Sequence, residues 1–335
     1  MARSLAEVGA PRRSLRPAPT AIERVAPDVW VMREDLAGDL FGGNKLRKLE
    51  WILAHTESAG SAVLTIGPAG SNHVAATSLL GARAGLKVHA VLIPQPDHAY
   101  ARVNARIIHA HAERVYPADG ARAAGVAFAR AWTALRVFGG VTPHVVPAGG
   151  SDVDGVLGWT EAGIELAGRI AAGELPTPAR VFVAVGTGGT AAGLLLGLRL
   201  GGCPAEIVGV RVTPRLLVSR GVIVRLARAA AARLRPFGFA TPRLDGLRVE
   251  GGQLGDGYAI ETSASTRARA KAAAVGLPLD PTYTSKAWAQ LEAERDGRPS
   301  LFVATCNNLP PAVALEAALP EVSVHLRPLL RPRTS

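Results

Sequence analysis

The stretch VFVAVGTGGT (residues 181–190) decides the fold class, because an apolar run of strand length passes directly into a glycine-rich loop and an apolar helix. A strand, a glycine loop and a helix in this order are typical of α/β proteins. Such a loop directs several backbone N–H groups at one point, and the helix dipole adds positive potential there. We therefore predict a phosphate site formed by Gly186, Thr187, Gly188, Gly189 and Thr190.

The same loop fits the spacing Gly-x-Gly-x-x-Ala, so a nicotinamide-dependent oxidoreductase is the alternative from a different enzyme class. The next predicted strand, residues 207–212, carries Arg211 and leads into Thr213, without an Asp or Glu to hold a ribose hydroxyl. The missing acid favours a phosphate monoester over a dinucleotide. A glycine turn that binds no ligand is the remaining interpretation.

A second informative stretch is FGGNKLRKLE (residues 41–50), in which paired glycines and Asn44 place Lys45 at the start of a predicted helix. Lysine amines form imines with carbonyl cofactors such as pyridoxal phosphate when the amine is partly desolvated and a separate site anchors the phosphate. The alternative is a solvated lysine that opens an ordinary amphipathic helix. The loop at residues 186–190 supplies the anchor that the first interpretation requires.

Around these two stretches, predicted strands and helices alternate. The strands are residues 29–32, 62–66, 88–93, 114–116, 144–147, 181–185, 207–212 and 301–304, and the helices are residues 45–54, 72–84, 100–111, 121–138, 155–172, 190–200 and 214–236. This alternation predicts mostly parallel sheets that are covered on both faces by helices.

Composition narrows the class of protein further. The chain has 335 residues with 48% apolar side chains, enough for two modest domains with their own cores. Cys203 and Cys306 are its only cysteines, which favours a reducing, cytoplasmic location and argues against a disulfide scaffold or a zinc site. We predict no metal centre.

The basic charge does not indicate nucleic-acid binding. The net charge is +11, but arginines are scattered along the chain and only 5% of residues are aromatic. No apolar run approaches the roughly 18 residues that a membrane span requires, so we expect no membrane partner. Residues 1–20 are Arg- and Pro-rich and are predicted to be a disordered basic tail, with an organellar transit segment as the alternative. The segment after Arg327 is expected to be loose.

Two further groups of residues have possible chemical roles that the sequence alone leaves open. Ser71, Asn72 and His73 stand at a predicted helix start, where they either bind a substrate carboxylate or simply cap the helix. Tyr258 and Tyr283 lie in predicted loops, where each phenol either transfers a proton or packs without a function.

These pieces together resemble the pyridoxal-phosphate-dependent family of D-cysteine desulfhydrase and 1-aminocyclopropane-1-carboxylate (ACC) deaminase. The resemblance covers most of residues 30–315 and is most specific at FGGNKxRKLE, at Ser71-Asn72-His73 and at LDPTYT (residues 279–284). It implies fold type II, the tryptophan synthase β-like fold, with two three-layer α/β/α domains and the active site in a cleft. The expected large domain comprises residues 21–55 and 160–330, the small domain comprises residues 56–159, and a homodimer is implied.

The resemblance also implies residue roles. Lys45 holds pyridoxal phosphate as an imine and moves the α-proton, and residues 186–190 hold the phosphate. Asn72 contacts the phenolic oxygen of the cofactor, and Thr305 contacts the pyridine nitrogen. The catalytic set is Lys45, Ser71, Tyr258 and Tyr283, and the residues that contact the small amino-acid substrate are Ser71, Asn72, His73, Tyr258, Tyr283 and Thr284.

Thr284 separates activities within the family, because ACC deaminases place Glu after the second tyrosine whereas desulfhydrase-like members place Thr there. This favours β-elimination from a small D-amino acid, with D-cysteine as the leading case. The alternatives are ACC ring opening and a divergent member of the fold that acts on another amino acid or only binds a ligand. The chain departs from the family pattern at Gly70, Ala75, Trp159, Cys306, Asn307 and Asn308.

Overall fold

The computed structural model describes residue 5 and residues 11–16, 19–59, 61–307 and 319–331. These residues divide into two compact units. Unit 1 combines Met1–Ala10, Ser14–Lys48 and Ser151–Leu309, and unit 2 combines Pro11–Arg13, Leu49–Gly150 and Pro310–Ser335. Asn308 lies outside the described residues.

The strands of the described residues are β1 (Ile22–Ala26), β2 (Val29–Met32), β3 (Val63–Pro68), β4 (Val88–Ile93), β5 (Gln95–Pro96), β6 (Arg114–Pro117), β7 (His144–Val146), β8 (Arg180–Val185), β9 (Glu206–Arg211), β10 (Leu247–Glu250), β11 (Ser300–Val303) and β12 (Leu330–Arg331). The helices are α1 (Lys45–Ser58), α2 (Asn72–Arg83), α3 (Ala99–His111), α4 (Ala121–Thr133), α5 (Val153–Ala171), α6 (Gly189–Leu200), α7 (Arg220–Leu234), α8 (Ser263–Ala274) and α9 (Thr284–Glu294). None of these described helices is long and apolar enough to cross a membrane.

Unit 1 is a three-layer α/β/α unit. Its sheet has the strand order β1-β2-β11-β8-β9-β10, in which only the β1–β2 pair is antiparallel. Side chains alternate between the faces, so Phe182 and Phe302 enter the core beneath α8 and α9, where Trp288 packs edge-on against Phe302. Val181 and Val183 point to the opposite face, on which α6 packs.

Unit 2 has a smaller sheet of order β6-β4-β3-β7 whose pairs are all parallel. Its core forms where Leu64 and Val91 pack against Ala131 and Leu135 at the end of α4. Helices α2 and α3 pack against each other, and α2 also contacts β3 and β4. The α/β class and the mostly parallel sheets predicted from the sequence are therefore confirmed.

Three local predictions differ from the structure. The helix predicted from residue 214 begins only at Arg220, because the Ser219 hydroxyl accepts a hydrogen bond from Val222 N and caps it. The periodicity did not indicate β1 or β10. In the segment expected to be loose after Arg327, the described residues, up to Arg331, form a short turn and then β12, which pairs with β5, and Leu329 is buried.

The disorder expected for residues 1–20 stays a prediction. Among the described residues of this segment, Arg13 forms an ion pair with Glu57, and Leu5 is buried. Thr20 is also buried and donates a hydrogen bond to Glu34.

Candidate active site

Backbone and side-chain contacts fix the loop that presents Lys45. Gly43 N–H donates to the carbonyl of Glu34 at 2.7 Å, and Asn44 N–H donates to the carbonyl of Thr305 at 3.0 Å. Gly42 N–H donates to Oδ1 of Asn307 at 2.7 Å. The residues that follow β11 therefore hold the loop from one side, so Lys45 enters α1 from a defined position.

A buried ion pair fixes the position of the first turn of α1. The Arg47 guanidinium is fully buried and contacts Glu34 at 2.7 Å and Glu165 at 2.9 Å. The Trp159 indole N–H donates to the carbonyl of Asn44 at 3.0 Å, and Arg47 lies over the same ring at 5.8 Å. Loss of one partner from such a buried pair typically costs about 3–5 kcal/mol, so this cluster orients the Lys45 segment rigidly.

The environment of the Lys45 amine favours its neutral form. Burial lowers the pKa of Lys45 to about 8, and the electrostatic effect of the neighbouring Cys306 side chain acts in the opposite direction. A desolvated amine of lowered pKa is the form of lysine that attacks carbonyl groups. The amphipathic-helix alternative, with a fully solvated lysine, is not what the structure contains.

The glycine loop after β8 leaves an open space at the start of α6, hereafter the cradle, whose surroundings suit an anion. Gly188 has a φ of +91° and precedes α6, and no described side chain caps the first turn of this helix. A Cβ on Gly189 would lie 2.5 Å from Ser151 Oγ and 2.9 Å from Lys48 Nζ, so only glycine leaves this space open. Asn44 donates to the Thr190 hydroxyl at 3.0 Å and ties the cradle to the Lys45 loop.

Two residues of the cradle were not predicted from the sequence, namely Lys48 and Ser151. Lys48 Nζ donates to Ser151 Oγ at 3.1 Å, and Ser151 Oγ is 2.6 Å from Thr187 Oγ1. Burial and the charge of Lys45 hold the pKa of Lys48 well below its usual value, whereas Asp152 opposes the shift. The signal was present, since Lys48 lies one helical turn after Lys45 on the same face.

The two predicted tyrosines form one pair in unit 1. Their hydroxyl oxygens are 2.5 Å apart, and the Tyr258 and Tyr283 rings meet edge to face. A Cβ on Gly186 would lie 3.4 Å from the Tyr283 ring, so this ring borders the start of the cradle. Burial raises the pKa of both phenols, so both are protonated near neutral pH.

Thr284 and Thr305 occupy different environments in unit 1. The Thr284 hydroxyl donates to Asp280 Oδ2 at 2.5 Å, and the Asp280 carboxylate also accepts from the N–H groups of Tyr283 and Thr284. Thr284 therefore helps to fix the turn that presents Tyr283. Thr305 follows β11 and is buried, and its carbonyl accepts the hydrogen bond from Asn44 N–H in the loop before Lys45.

Ser71, Asn72 and His73 belong to unit 2 and are engaged by contacts within it. Ser71 Oγ accepts from Val74 N–H at 3.4 Å and caps α2, and Asn72 Oδ1 accepts from the Tyr100 hydroxyl at 2.8 Å. The buried His73 ring lies 3.0 Å from Thr65 Oγ1. The predicted roles of these three residues in binding stay predictions.

Gly70, one departure from the family pattern, has a packing explanation in unit 2. A Cβ there would lie 2.5 Å from the Cα of Ala101 in α3. The Asn104 amide of the same helix donates to the Gly70 carbonyl at 3.0 Å. The close approach of α3 therefore excludes any larger residue at this position.

The donor set of the cradle fits a phosphate monoester. Backbone N–H groups at the uncapped start of α6, the hydroxyls of Thr187 and Ser151, and the Lys48 amine all suit a dianion, and residues with a Cβ at position 189 would fill the space. The separate amine of Lys45 suits a carbonyl group. A phosphorylated aldehyde carries both functions, so the residues present fit pyridoxal phosphate.

Comparison with known proteins identifies the class. The family described as pyridoxal-phosphate dependent enzyme matches residues 10–303, and the chain belongs to that family. Pyridoxal phosphate is accordingly its cofactor, which confirms the resemblance inferred from the sequence and excludes the nicotinamide-dependent alternative.

Two named relatives and one solved structure are similar to this chain. The chain is 37% identical to nocardicin C-9' epimerase of Nocardia uniformis subsp. tsuyamanensis, over 68% of the chain and 73% of that protein. It is 29% identical to D-cysteine desulfhydrase of Salmonella paratyphi B, over 88% of the chain and 93% of that protein. The crystal structure of an ACC deaminase homologue is 26% identical with a TM-score of 0.75, and the match covers 92% of this chain and 96% of the other.

Proposed function

We propose that this chain catalyses β-elimination from a small D-amino acid, with D-cysteine as the leading substrate. The likeness to D-cysteine desulfhydrase over 88% of the chain and the presence of Thr284 after Tyr283 support this substrate class. The observation that carries the proposal is the Lys45 amine of lowered pKa, on a loop that Asn44 ties to the phosphate cradle.

Lys45 has two tasks in the proposed reaction. It would hold the cofactor aldehyde covalently, and its neutral amine would remove the α-proton of the substrate as a base. Bound pyridoxal phosphate supplies the electron sink for the charge left at the α-carbon. With a pKa of about 8, about a tenth of the Lys45 amine is neutral at pH 7 before the cofactor binds.

The paired phenols are proposed to act on the leaving group. Burial keeps Tyr258 and Tyr283 protonated, and one hydroxyl donates to the other, so the second hydroxyl is left to donate to the departing sulfur. D-cysteine loses its α-proton and its sulfur as sulfide, and water then replaces nitrogen in the remaining three-carbon unit. The balanced products are pyruvate, ammonia and hydrogen sulfide.

The remaining expectations of the resemblance are part of the proposal. Ser71, Asn72, His73 and Thr305 keep the substrate and cofactor roles described above as predictions. Residues 21–55 with 160–330 and residues 56–159 are the proposed domains, and the proposed location is the cytoplasm. A homodimer predicts twice the 34.7 kDa chain mass in light scattering of the purified protein.

A turnover assay tests this proposal. The purified protein with pyridoxal phosphate is incubated with D-cysteine, L-cysteine, D-serine and ACC, and pyruvate, 2-oxobutyrate, ammonia and sulfide are quantified. We expect equal amounts of pyruvate and sulfide from D-cysteine, and none with Lys45→Ala. Release of 2-oxobutyrate from ACC alone would replace the proposed substrate with the ring-opening alternative.

Epimerisation is the second candidate, favoured by the 37% identity to nocardicin C-9' epimerase. Elimination and epimerisation share removal of a proton from carbon and differ in whether the proton returns or a β-substituent leaves. D-alanine and L-alanine have no leaving group and therefore separate the two. Formation of the opposite isomer with deuterium from heavy water favours epimerisation, whereas an unchanged configuration during rapid elimination from D-cysteine favours the first proposal.

A further inference from the structure

Lys286 is a buried lysine of α9 that the proposed reaction does not use. Its side chain is 0% exposed, and Nζ donates to the carbonyl of Leu254 at 2.7 Å and to the carbonyl of Gly257 at 3.2 Å. Both carbonyls belong to residues 251–262, the loop that carries Tyr258 (hereafter the Tyr258 loop). A buried ammonium group thus ties this loop to a helix.

The Tyr258 loop adopts a conformation that needs external support. Ala259, directly after Tyr258, has a φ of +61°, in the left-handed region that is unfavourable for a residue with a Cβ. Such strain persists only where the surrounding structure over-determines the backbone. The two carbonyls bonded to Lys286 lie within five residues before Ala259 and supply such a constraint.

The same helix holds the partner of Tyr258. Tyr283 stands directly before α9, one turn from Lys286, and its hydroxyl is 2.5 Å from that of Tyr258. Gln290 of α9 accepts a further hydrogen bond from Gln253 of the Tyr258 loop at 3.2 Å. The position of Tyr258 relative to Tyr283 is therefore set by bonds between one loop and one helix.

The positive charge of Lys286 strengthens its two hydrogen bonds to the Tyr258 loop. Burial lowers the pKa of Lys286, and the nearby carboxylates of Asp256 and Glu261 counter this by favouring the ammonium form. Hydrogen bonds from a charged donor are about twice as strong as those between neutral groups. Lys286 is therefore a stronger tie than the amide contact between Gln253 and Gln290.

We infer that Lys286 is a positioning residue that keeps the Tyr258 hydroxyl against Tyr283, so that the hydrogen-bonded pair of phenols acts on one leaving group. The inference rests on the proposed function for its kinetic consequence, but the ordering of the Tyr258 loop does not depend on that function. Lys286→Met preserves the length of the side chain and removes its donors. Lys271→Met is the matched control, because Lys271 is an exposed lysine of the adjacent helix α8.

Hydrogen exchange measured by mass spectrometry tests the ordering directly. We expect amides of residues 251–262 to exchange at least about tenfold faster in Lys286→Met, with the sheet strands of unit 1 unchanged. Lys271→Met should match the wild type, and Lys286→Gln, which keeps an amide donor, should lie between the two. Unchanged exchange of the Tyr258 loop in Lys286→Met would overturn the inference, whether or not the protein turns over any amino acid.

A double-mutant cycle with Tyr258→Phe tests the kinetic consequence. In the wild-type background, Lys286→Met should lower kcat for sulfide release from D-cysteine about 10- to 100-fold, because misplaced groups cost rate of this order. In the Tyr258→Phe background the same substitution should cost less than about twofold, since the hydroxyl that it positions is already absent. Equal losses in both backgrounds would assign Lys286 a general structural role and contradict the inference.

The two readouts separate the possible failures. A protein without turnover of any amino acid refutes the proposed function, and hydrogen exchange alone then decides the role of Lys286. Turnover of D-cysteine with an unchanged Tyr258 loop in Lys286→Met refutes the positioning role and leaves the proposed function intact.

Discussion

The starts of helices α6 and α2 share one local sequence pattern but differ in whether a side chain caps the first turn. Each follows a buried parallel strand and a glycine-containing turn. At α2, Ser71 Oγ accepts from Val74 N–H, so the chain satisfies part of the first turn itself. At α6 the capping position is Gly188, and no described side chain takes the first-turn N–H groups. The first-turn N–H groups of α2 are thus partly satisfied within the chain, whereas those of α6 are open to the phosphate that we propose there.

Side chains from distant parts of the sequence strengthen this difference. Lys48 and Ser151 converge on Gly189 at α6. At α2, Asn72 is bonded to Tyr100 and His73 is bonded to Thr65. A helix start after a glycine turn is thus only a potential anion site, and the residues gathered around it decide whether it binds phosphate.

The largest expected loss of cofactor affinity comes from filling the space at the start of α6. Gly189→Ala places a Cβ where Ser151 Oγ and Lys48 Nζ now converge, so we expect the affinity for pyridoxal phosphate to fall at least about 100-fold. Gly168→Ala in α5 is the control, since nothing lies within 4 Å of its added Cβ. Equilibrium titration by cofactor absorbance measures both. Equal affinity in the two variants would show that the space at Gly189 is not the phosphate site.

Removing the Lys48 amine should have the next largest effect. Lys48→Met deletes an N–H donor of the proposed phosphate site and should weaken cofactor binding about 30-fold. Lys271→Met, at an exposed ion pair, should retain wild-type affinity. Binding of pyridoxal, which lacks the phosphate, should be nearly equal in Lys48→Met and the wild type. A similar loss for both ligands would place the effect of Lys48 elsewhere than on the phosphate.

The lowered pKa of Lys45 predicts a pH dependence for covalent attachment. The folded amine loses its proton near pH 8, so the reactive neutral form is lost as pH falls below this value. The rate of attachment of pyridoxal should rise about tenfold from pH 7 to pH 9 and then level off. Stopped-flow absorbance measures this profile. A rate that continued to rise beyond pH 10 would indicate a solvated lysine of ordinary pKa.

The smallest effect on cofactor binding is expected at the α2 start. Ser71→Ala removes a helix cap and should lower the free energy of unfolding by about 1 kcal/mol. Cofactor affinity should stay within about twofold of the wild type, because the roles proposed for Ser71 concern the substrate and not the phosphate. Urea unfolding and cofactor titration of the same variant separate the two quantities. A 100-fold loss of cofactor affinity would remove the distinction between the two helix starts.

Features encoded by local sequence could be predicted. The apolar run before Gly186 defines β8, and the glycines after it define the cradle, because both depend on adjacent residues. Lys45 at a helix start was likewise visible in residues 41–50. The parallel sheets followed from the alternation of short apolar runs with helical periods.

Features that depend on contacts between residues far apart in the sequence could not be predicted from the sequence. Lys48 and Ser151 are separated by 103 residues, and no periodicity indicates that they meet. The pairing of Tyr258 with Tyr283 depends on a strained loop and a buried lysine. The short strand β12 forms only because β5 offers an edge. Such pairings arise from tertiary packing, which overrides local propensity.

The attachment site of the cofactor tests the central claim most directly. The protein loaded with pyridoxal phosphate is reduced with sodium borohydride, digested and mapped by mass spectrometry. We predict a single stable pyridoxyl adduct on the peptide that contains Lys45, and none in Lys45→Ala, in which Lys48 is still present as an internal control. An adduct on Lys48 or on another lysine, or a wild-type protein without an adduct, would contradict the assignment of Lys45.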